Sequence, residues 1–145
     1  MKKFGIRQKY MVGKNKLEHF FETEFPQADF LIEHVSEEKV VIKKVINKQH
    51  VRPGNTISGP TLMEVADAAL YVAVLSKSNL SKMALTSGIN INFLRKPEAS
   101  QNIVAECSIL KLSPKSAYGE VSIYSEESRV LVARATGTYI IPSVQ

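Results

Sequence analysis

The sequence predicts an α+β domain in which one antiparallel sheet curves around a single long helix. Three observations carry that expectation. The segment from Pro60 to Ser76 is apolar nearly all round, and a helix of that kind is buried on most sides. Segments of strand character lie on both sides of it, two before and four after. The links between strands are short and punctuated by Pro, Gly and Ser, which favours antiparallel pairing of a sheet that must still cover the helix.

The elements follow in order. Residues Met1 to Lys14 form a basic leader, expected to be flexible, and residues 15–145 form the single folded domain. Leu17, Phe20, Phe21 and Phe25 recur at three- and four-residue steps, which predicts a short amphipathic helix from Asn15 to Phe25, with Asn15 as its cap and Pro26 as its stop. Strands are expected at Asp29 to Val35 and Lys39 to Lys48, joined by the charged turn Ser36, Glu37, Glu38. The second alternates Val40, Ile42, Lys44 and Ile46 against Val41, Lys43, Val45 and Asn47. A loop from His50 to Ser58, broken by Pro53 and Gly54, leads to the long helix. Ser58 suits its cap, and Pro60 suits a first turn where no amide hydrogen is required. Four strands complete the chain: Ala84 to Leu94, Gln101 to Lys111, Ala117 to Ser125 and Val130 to Ile141.

Composition narrows the function classes. At 145 residues and 16.1 kDa there is room for one core and no second domain. With 44% hydrophobic and 23% charged residues and a mean hydropathy of -0.07, the chain reads as a soluble globular protein. The longest apolar stretch, Val65 to Leu75, is interrupted by Asp67 and falls short of the roughly 20 residues of a membrane span. Lys2, Lys3, Arg7, Lys9, Lys14 and Lys16 are followed by no apolar block of signal-peptide length, so the cytoplasm is the expected location. The single Cys107 has no partner for an internal disulfide and reads as a small buried filler. His19, His34 and His50 are scattered without metal-ligand spacing, and no metal is expected. A net charge of +5 points to an anionic partner, either nucleic acid or a phosphorylated small molecule. Because the basic residues are spread along the chain and not gathered on one helix, nucleic acid is the disfavoured choice.

On the long helix Glu64, Asp67 and Tyr71 stand at spacings of three and four, which places them along one face of an otherwise apolar rod. Three readings fit that stripe: a wet edge of the helix, a polar seam against a partner subunit, or a catalytic acid. A carboxylate in low dielectric is costly unless paired, hydrogen-bonded or neutralised, and such acids collect at functional sites. The start of the helix supplies a second requirement, since unpaired amides there suit an oxyanion. Pro60 has no amide hydrogen, so the donor is Gly59, Thr61 or a neighbour. Asp67 lies eight residues beyond Gly59, roughly 12 Å along the axis. That is wide for one carbonyl unless the substrate bridges the two groups or the helix is read against a partner chain.

The run SGPTLMEVADAALYVAVLS, then ALTSGININFLRKP, then strands ending in ARATGTYIIP, resembles the PaaI-like branch of the hotdog-fold thioesterase superfamily over about Val41 to Pro142. The resemblance implies a hotdog fold and an acyl-CoA thioesterase, in which CoA is part of the substrate and no separate cofactor is needed. In that family a helix opening with His-Gly-Gly is followed by a Leu-Ala-Asp or Leu-Ala-Glu triplet. The acid activates water or attacks the thioester, and the first glycine amide polarises the carbonyl. Val65-Ala66-Asp67 matches the triplet, and Gly59 matches the first glycine at the family's spacing. Ser58 replaces the motif histidine and Pro60 the second glycine, so the help those residues give in orienting the thioester is absent or altered. The family's preceding asparagine falls by count at Arg52, and Asn55 in the same loop is the residue carried over. Thr86 corresponds to a Ser or Thr that contacts the reacting water from the partner subunit. Glu64 is the rival acid, ranked as a substrate-pocket residue beside Ser58, and Arg95 and Lys96 are the candidates for CoA phosphates.

Three functions stay in view on these residues: acyl-CoA hydrolysis, non-catalytic binding of acyl-CoA by a regulatory protein, and hydratase chemistry. The last is disfavoured because such relatives use a histidine that this helix lacks. A sheet wrapped on one helix leaves edges and an open pocket, which pairing with a second copy would close, so a homodimer or homotetramer is expected.

Overall fold

A computed structural model describes residues 11–143 of the chain. Helix α1 spans Lys14–Glu24; strands β1 Leu31–Val35 and β2 Val40–Lys44 follow. A short 3-10 turn, Lys48–His50, leads into a two-residue hairpin, β3 Val51–Arg52 and β4 Thr56–Ile57. The long helix α2 occupies Gly59–Lys77. Strands β5 Leu85–Phe93, β6 Ile103–Ser113, β7 Ser116–Ser125 and β8 Leu131–Ile140 complete the order.

Six strands form one antiparallel sheet in the order β1-β2-β6-β7-β8-β5, and α2 lies in its concave face. This is the expected α+β hotdog arrangement. The 19 residues of α2 extend about 28 Å. Leu62, Val65, Ala66, Ala69, Leu70, Val72, Ala73 and Leu75 are all buried on it, as an apolar surface seated in a sheet must be. Two glycines make the closest approach possible. Gly119 and Gly137 face each other across β7 and β8, and a Cβ on Gly137 would stand 2.6 Å from Leu70 Cδ1. Leu70 therefore sits in a notch that any larger residue would fill.

The structure corrects several expectations. Asn15 is not the cap of α1: the cap is Gly13, with no side-chain bond, and the helix begins at Lys14. Residues 1–10 of the predicted leader lie outside the described residues, whereas Val12 is buried and its amide donates to Ser76 O at 2.7 Å. The second strand ends at Lys44, four residues early, because the Ile46 amide leaves the ladder for Asn102 Oδ1 at 3.0 Å. The loop before α2 holds the β3–β4 hairpin, made possible by Gly54 and Asn55 at φ of 95° and 57°. Finally, β5 does not pair with the strand that follows it. The link through Pro97 carries the chain across the start of α2, where Pro97 O accepts from Thr56 Oγ1 at 2.8 Å and Ile57 N at 3.2 Å, and β5 pairs with β8 at the far edge.

Candidate active site

Asp67 projects from the middle of α2 into an open cavity of about 610 Å³ bounded by α1, α2, β5 and β8. Two side chains hold it. Thr86 and Tyr139 are direct partners across β5 and β8, so both point to the same face of the sheet. Thr86 Oγ1 donates to Asp67 Oδ1 at 2.7 Å, and Tyr139 OH donates to the same oxygen at 2.5 Å, with Asp67 O a further 3.2 Å acceptor. Oδ2 accepts no hydrogen bond among the described residues and is left to the cavity. Burial first, and then its bond to the Asp67 carboxylate, push the Tyr139 phenol well above its ordinary value of 10.0. Tyr139 is thus a standing donor across the neutral range.

The whole polar stripe of α2 lines this one cavity. Glu64 does so beside Lys44, whose Nζ lies 3.6 Å from Glu64 Oε1 and donates to Asp29 O at 2.8 Å and Asp29 Oδ2 at 3.2 Å. Lys44 is only 5% exposed, yet it is held by two exposed carboxylates. Glu64 is therefore ion-paired with Lys44. Tyr71 stacks on Tyr139 at 6.0 Å and donates to Lys82 O at 2.9 Å. Burial raises its phenol also, with Glu24 adding to the effect.

Gly59 and the basic candidates gather elsewhere. Gly59 is the first residue of α2, and its amide has no acceptor within the helix. It lines a second cavity, about 380 Å³, with Arg52, Arg95, Lys96 and Phe93. In one chain the acid and the proposed oxyanion donor thus face different cavities. The Ser58 hydroxyl is engaged at the helix start: it accepts from Thr61 N at 3.3 Å and shares a 2.7 Å bond with Thr61 Oγ1. Asn55 sits at the hairpin turn with a left-handed backbone and lines neither cavity. Thr86, expected to act from a partner subunit, reaches Asp67 of its own chain.

Two site residues escaped the sequence reading. Along β8 the inward row is Ala133, Ala135, Gly137 and then Tyr139, three small residues closed by a large one with a polar end. That change of size was the available signal. Lys44 ends the inward row Val40, Ile42, Lys44 of β2, a charge where alternation calls for an apolar residue.

A long helix seated in a curved antiparallel sheet, with an acid presented from its middle to an open cavity, defines a hotdog protein. The chain belongs to the Thioesterase superfamily, whose family profile matches residues 54–132. That span includes Gly59, Asp67 and Thr86, and ends before Tyr139. Among solved structures, a Silicibacter protein described as a "putative thioesterase" is 33% identical, with 92% of this chain and 94% of that one covered and a TM-score of 0.81. The Escherichia coli PaaI protein of the phenylacetic acid degradation operon superposes at a TM-score of 0.77, with 17% identity over 91% of this chain and 97% of that one. A Streptococcus mutans protein bound to acetyl CoA shares the fold at a TM-score of 0.71, with 13% identity over 81% of this chain and 92% of that one. Among the described residues no helix is long and apolar enough to cross a membrane.

Proposed function

We propose that this protein is an acyl-CoA thioesterase whose acid is Asp67. The observation that carries the reading is the Asp67 carboxylate itself: Oδ1 is fixed by two hydroxyl donors, and Oδ2 is presented to an open cavity. A carboxylate so held is oriented to take a proton from water. Water then adds to the thioester carbon and its proton passes to Oδ2; the carbon–sulfur bond breaks, and the departing CoA thiolate recovers the proton. The alternative within the same reading is direct attack by Oδ2, giving an acyl-aspartate that water hydrolyses. Label found in the Asp67 carboxyl group after a single turnover in heavy-oxygen water identifies direct attack with water entering at the aspartyl carbon, because general-base catalysis cannot put it there.

The oxyanion donor in this reading comes from a second copy. Strand β5 is an edge, and Leu85, Phe93 and Leu94 are exposed on and beside it. Pairing two copies antiparallel along β5 about a twofold axis sets the Leu85–Thr86 end of one strand against the Phe93 end of the other. The first end lines the Asp67 cavity and the second lines the Gly59 cavity, so each acid meets the partner's helix start. Arg52, Arg95 and Lys96 then supply positive charge for the CoA phosphates.

The decisive measurement is CoA release from a panel of acyl-CoA esters by the wild type and by Asp67→Asn, which keeps the acceptor for Thr86 and Tyr139. The expected result is a loss of roughly three orders of magnitude or more in kcat with an unchanged melting temperature. Undiminished turnover by Asp67→Asn would remove the assignment. Binding of the esters by the wild type with no turnover would favour a carrier or sensor of acyl-CoA.

A further inference from the structure

The cavity that holds Asp67 has a neighbour on its α1 side. A second hollow of about 480 Å³ lies on the outer side of α1, bordered by Glu18, Glu22, Pro26 and Leu31. Phe21, Ala28 and Phe30 line both spaces, so the partition between them is one side chain thick. Phe21 is 8% exposed and meets Phe30 edge-on, with centroids 5.1 Å apart and planes at 77°. A row of rings leads to that partition from the reacting end. Tyr139, bonded to Asp67, stacks on Tyr71 at 6.0 Å, and Tyr71 meets Phe21 at 5.9 Å.

We propose that Phe21 and Phe30 form the end wall of the acyl site and restrict it to compact acyl groups, short chains or single rings, to the exclusion of long linear chains. The inference rests on the thioesterase reading of Asp67 for the direction in which the acyl group enters. From the carboxylate an apolar way onward runs past Tyr71 to the two phenylalanines. A longer chain would have to displace the buried Phe21 ring from its contacts with Phe30 and Tyr71 before it reached the second hollow, where Glu18 and Glu22 stand beside Pro26, Leu31 and Ile32. Each methylene that a filled hydrophobic pocket cannot take costs about ten-fold or more in kcat/KM. Val12, Leu17 and Phe20 are buried in the same core as Phe21 and also anchor the α1 end of the chain, so α1 has other holds when the wall is thinned.

The test uses the full chain and measures kcat/KM for acetyl-, butyryl-, hexanoyl-, octanoyl-, palmitoyl- and benzoyl-CoA in the wild type, Phe30→Ala and the milder Phe21→Leu. Melting curves confirm that each variant is folded. In the wild type, efficiency should collapse between the short and the long linear esters. In either folded variant the palmitoyl-to-butyryl ratio should rise by about ten-fold or more. A wild type that takes palmitoyl-CoA as well as butyryl-CoA, or folded variants that both keep the wild-type ratio, would overturn the wall. Calorimetric binding of the same esters to Asp67→Asn gives the ranking without turnover. Binding that falls off with chain length in a wild type that hydrolyses nothing would strike out the thioesterase reading and leave the wall standing.

Discussion

Thr86 and Tyr139 reach the same oxygen of Asp67 from neighbouring strands, and the two hydroxyls differ in how firmly they hold their protons. Tyr139 is enclosed, and burial together with the adjacent carboxylate raises its phenol above 10.0. For such a group the neutral form is favoured in the fold. Its contribution is complete below the ordinary tyrosine value and is lost as pH rises through the higher folded one. Ultraviolet titration should therefore show one late-ionising phenol fewer in Tyr139→Phe than in the wild type, with Tyr71 still titrating late. Because a hydrogen bond to a charged group is worth about 1.5–3 kcal/mol, Tyr139→Phe should lower kcat by about ten- to a hundred-fold with KM little changed. A variant with full kcat would deny Tyr139 a positioning role. Sequence pattern pointed to Asp67 because a carboxylate on an apolar helix is conspicuous. It passed over Tyr139 and Lys44 because alternation assigns a face to a strand residue and says nothing of how far its side chain reaches.

Helix α2 was legible almost to its ends, since nineteen residues of one character, opened by Ser58 and Pro60, leave few alternatives. The start of α1 was not, because its cap Gly13 makes no side-chain bond for a pattern to register. The β3–β4 hairpin was invisible for a different reason: two-residue strands have no period, and only the turn at Gly54 and Asn55 betrays them. The first turn of α2 allows a clean test of its amide. Gly59→Pro deletes one N–H at the helical position where proline is best tolerated, and a Cβ there meets the Phe93 ring at an ordinary 3.5 Å. Gly59→Ala retains the N–H. The expectation is a loss of about a hundred-fold or more in kcat for the proline variant and near-normal kcat for the alanine variant, with both melting normally. Equal activity in the two would exclude the Gly59 amide as the oxyanion donor.

The sheet is tied at one corner by side chains from distant parts of the chain. Glu126, in the turn between β7 and β8, accepts from Lys43 of β2 at 3.2 Å and from Asn102 at 3.2 Å. Those bonds, the Lys43 bond first, hold the Glu126 carboxyl below its ordinary 4.5. A depressed carboxyl stabilises the fold above its unfolded value and ceases to do so as pH falls through the folded one. Glu126→Gln should melt below the wild type at neutral pH, and the gap should close as the buffer is taken below 4.5. A gap independent of pH would assign the loss to packing. Pattern alone supplied the sheet's membership and hand-to-hand antiparallel sense, but it could not supply the strand order. The excursion of β5 to the far edge depends on where the Pro97 link crosses α2, and that is a tertiary fact.

The position of that edge strand has a genetic corollary. If each reaction centre borrows its amide from one copy and its acid from the other, two dead alleles can rescue each other. Mixing Gly59→Pro subunits with Asp67→Asn subunits, under conditions that let them exchange, would create hybrids in which both lesions fall in one centre and the other is whole. Activity rising from two inactive stocks on mixing is the expected outcome, and persistent silence in verified hybrids would mean that each chain works with its own parts.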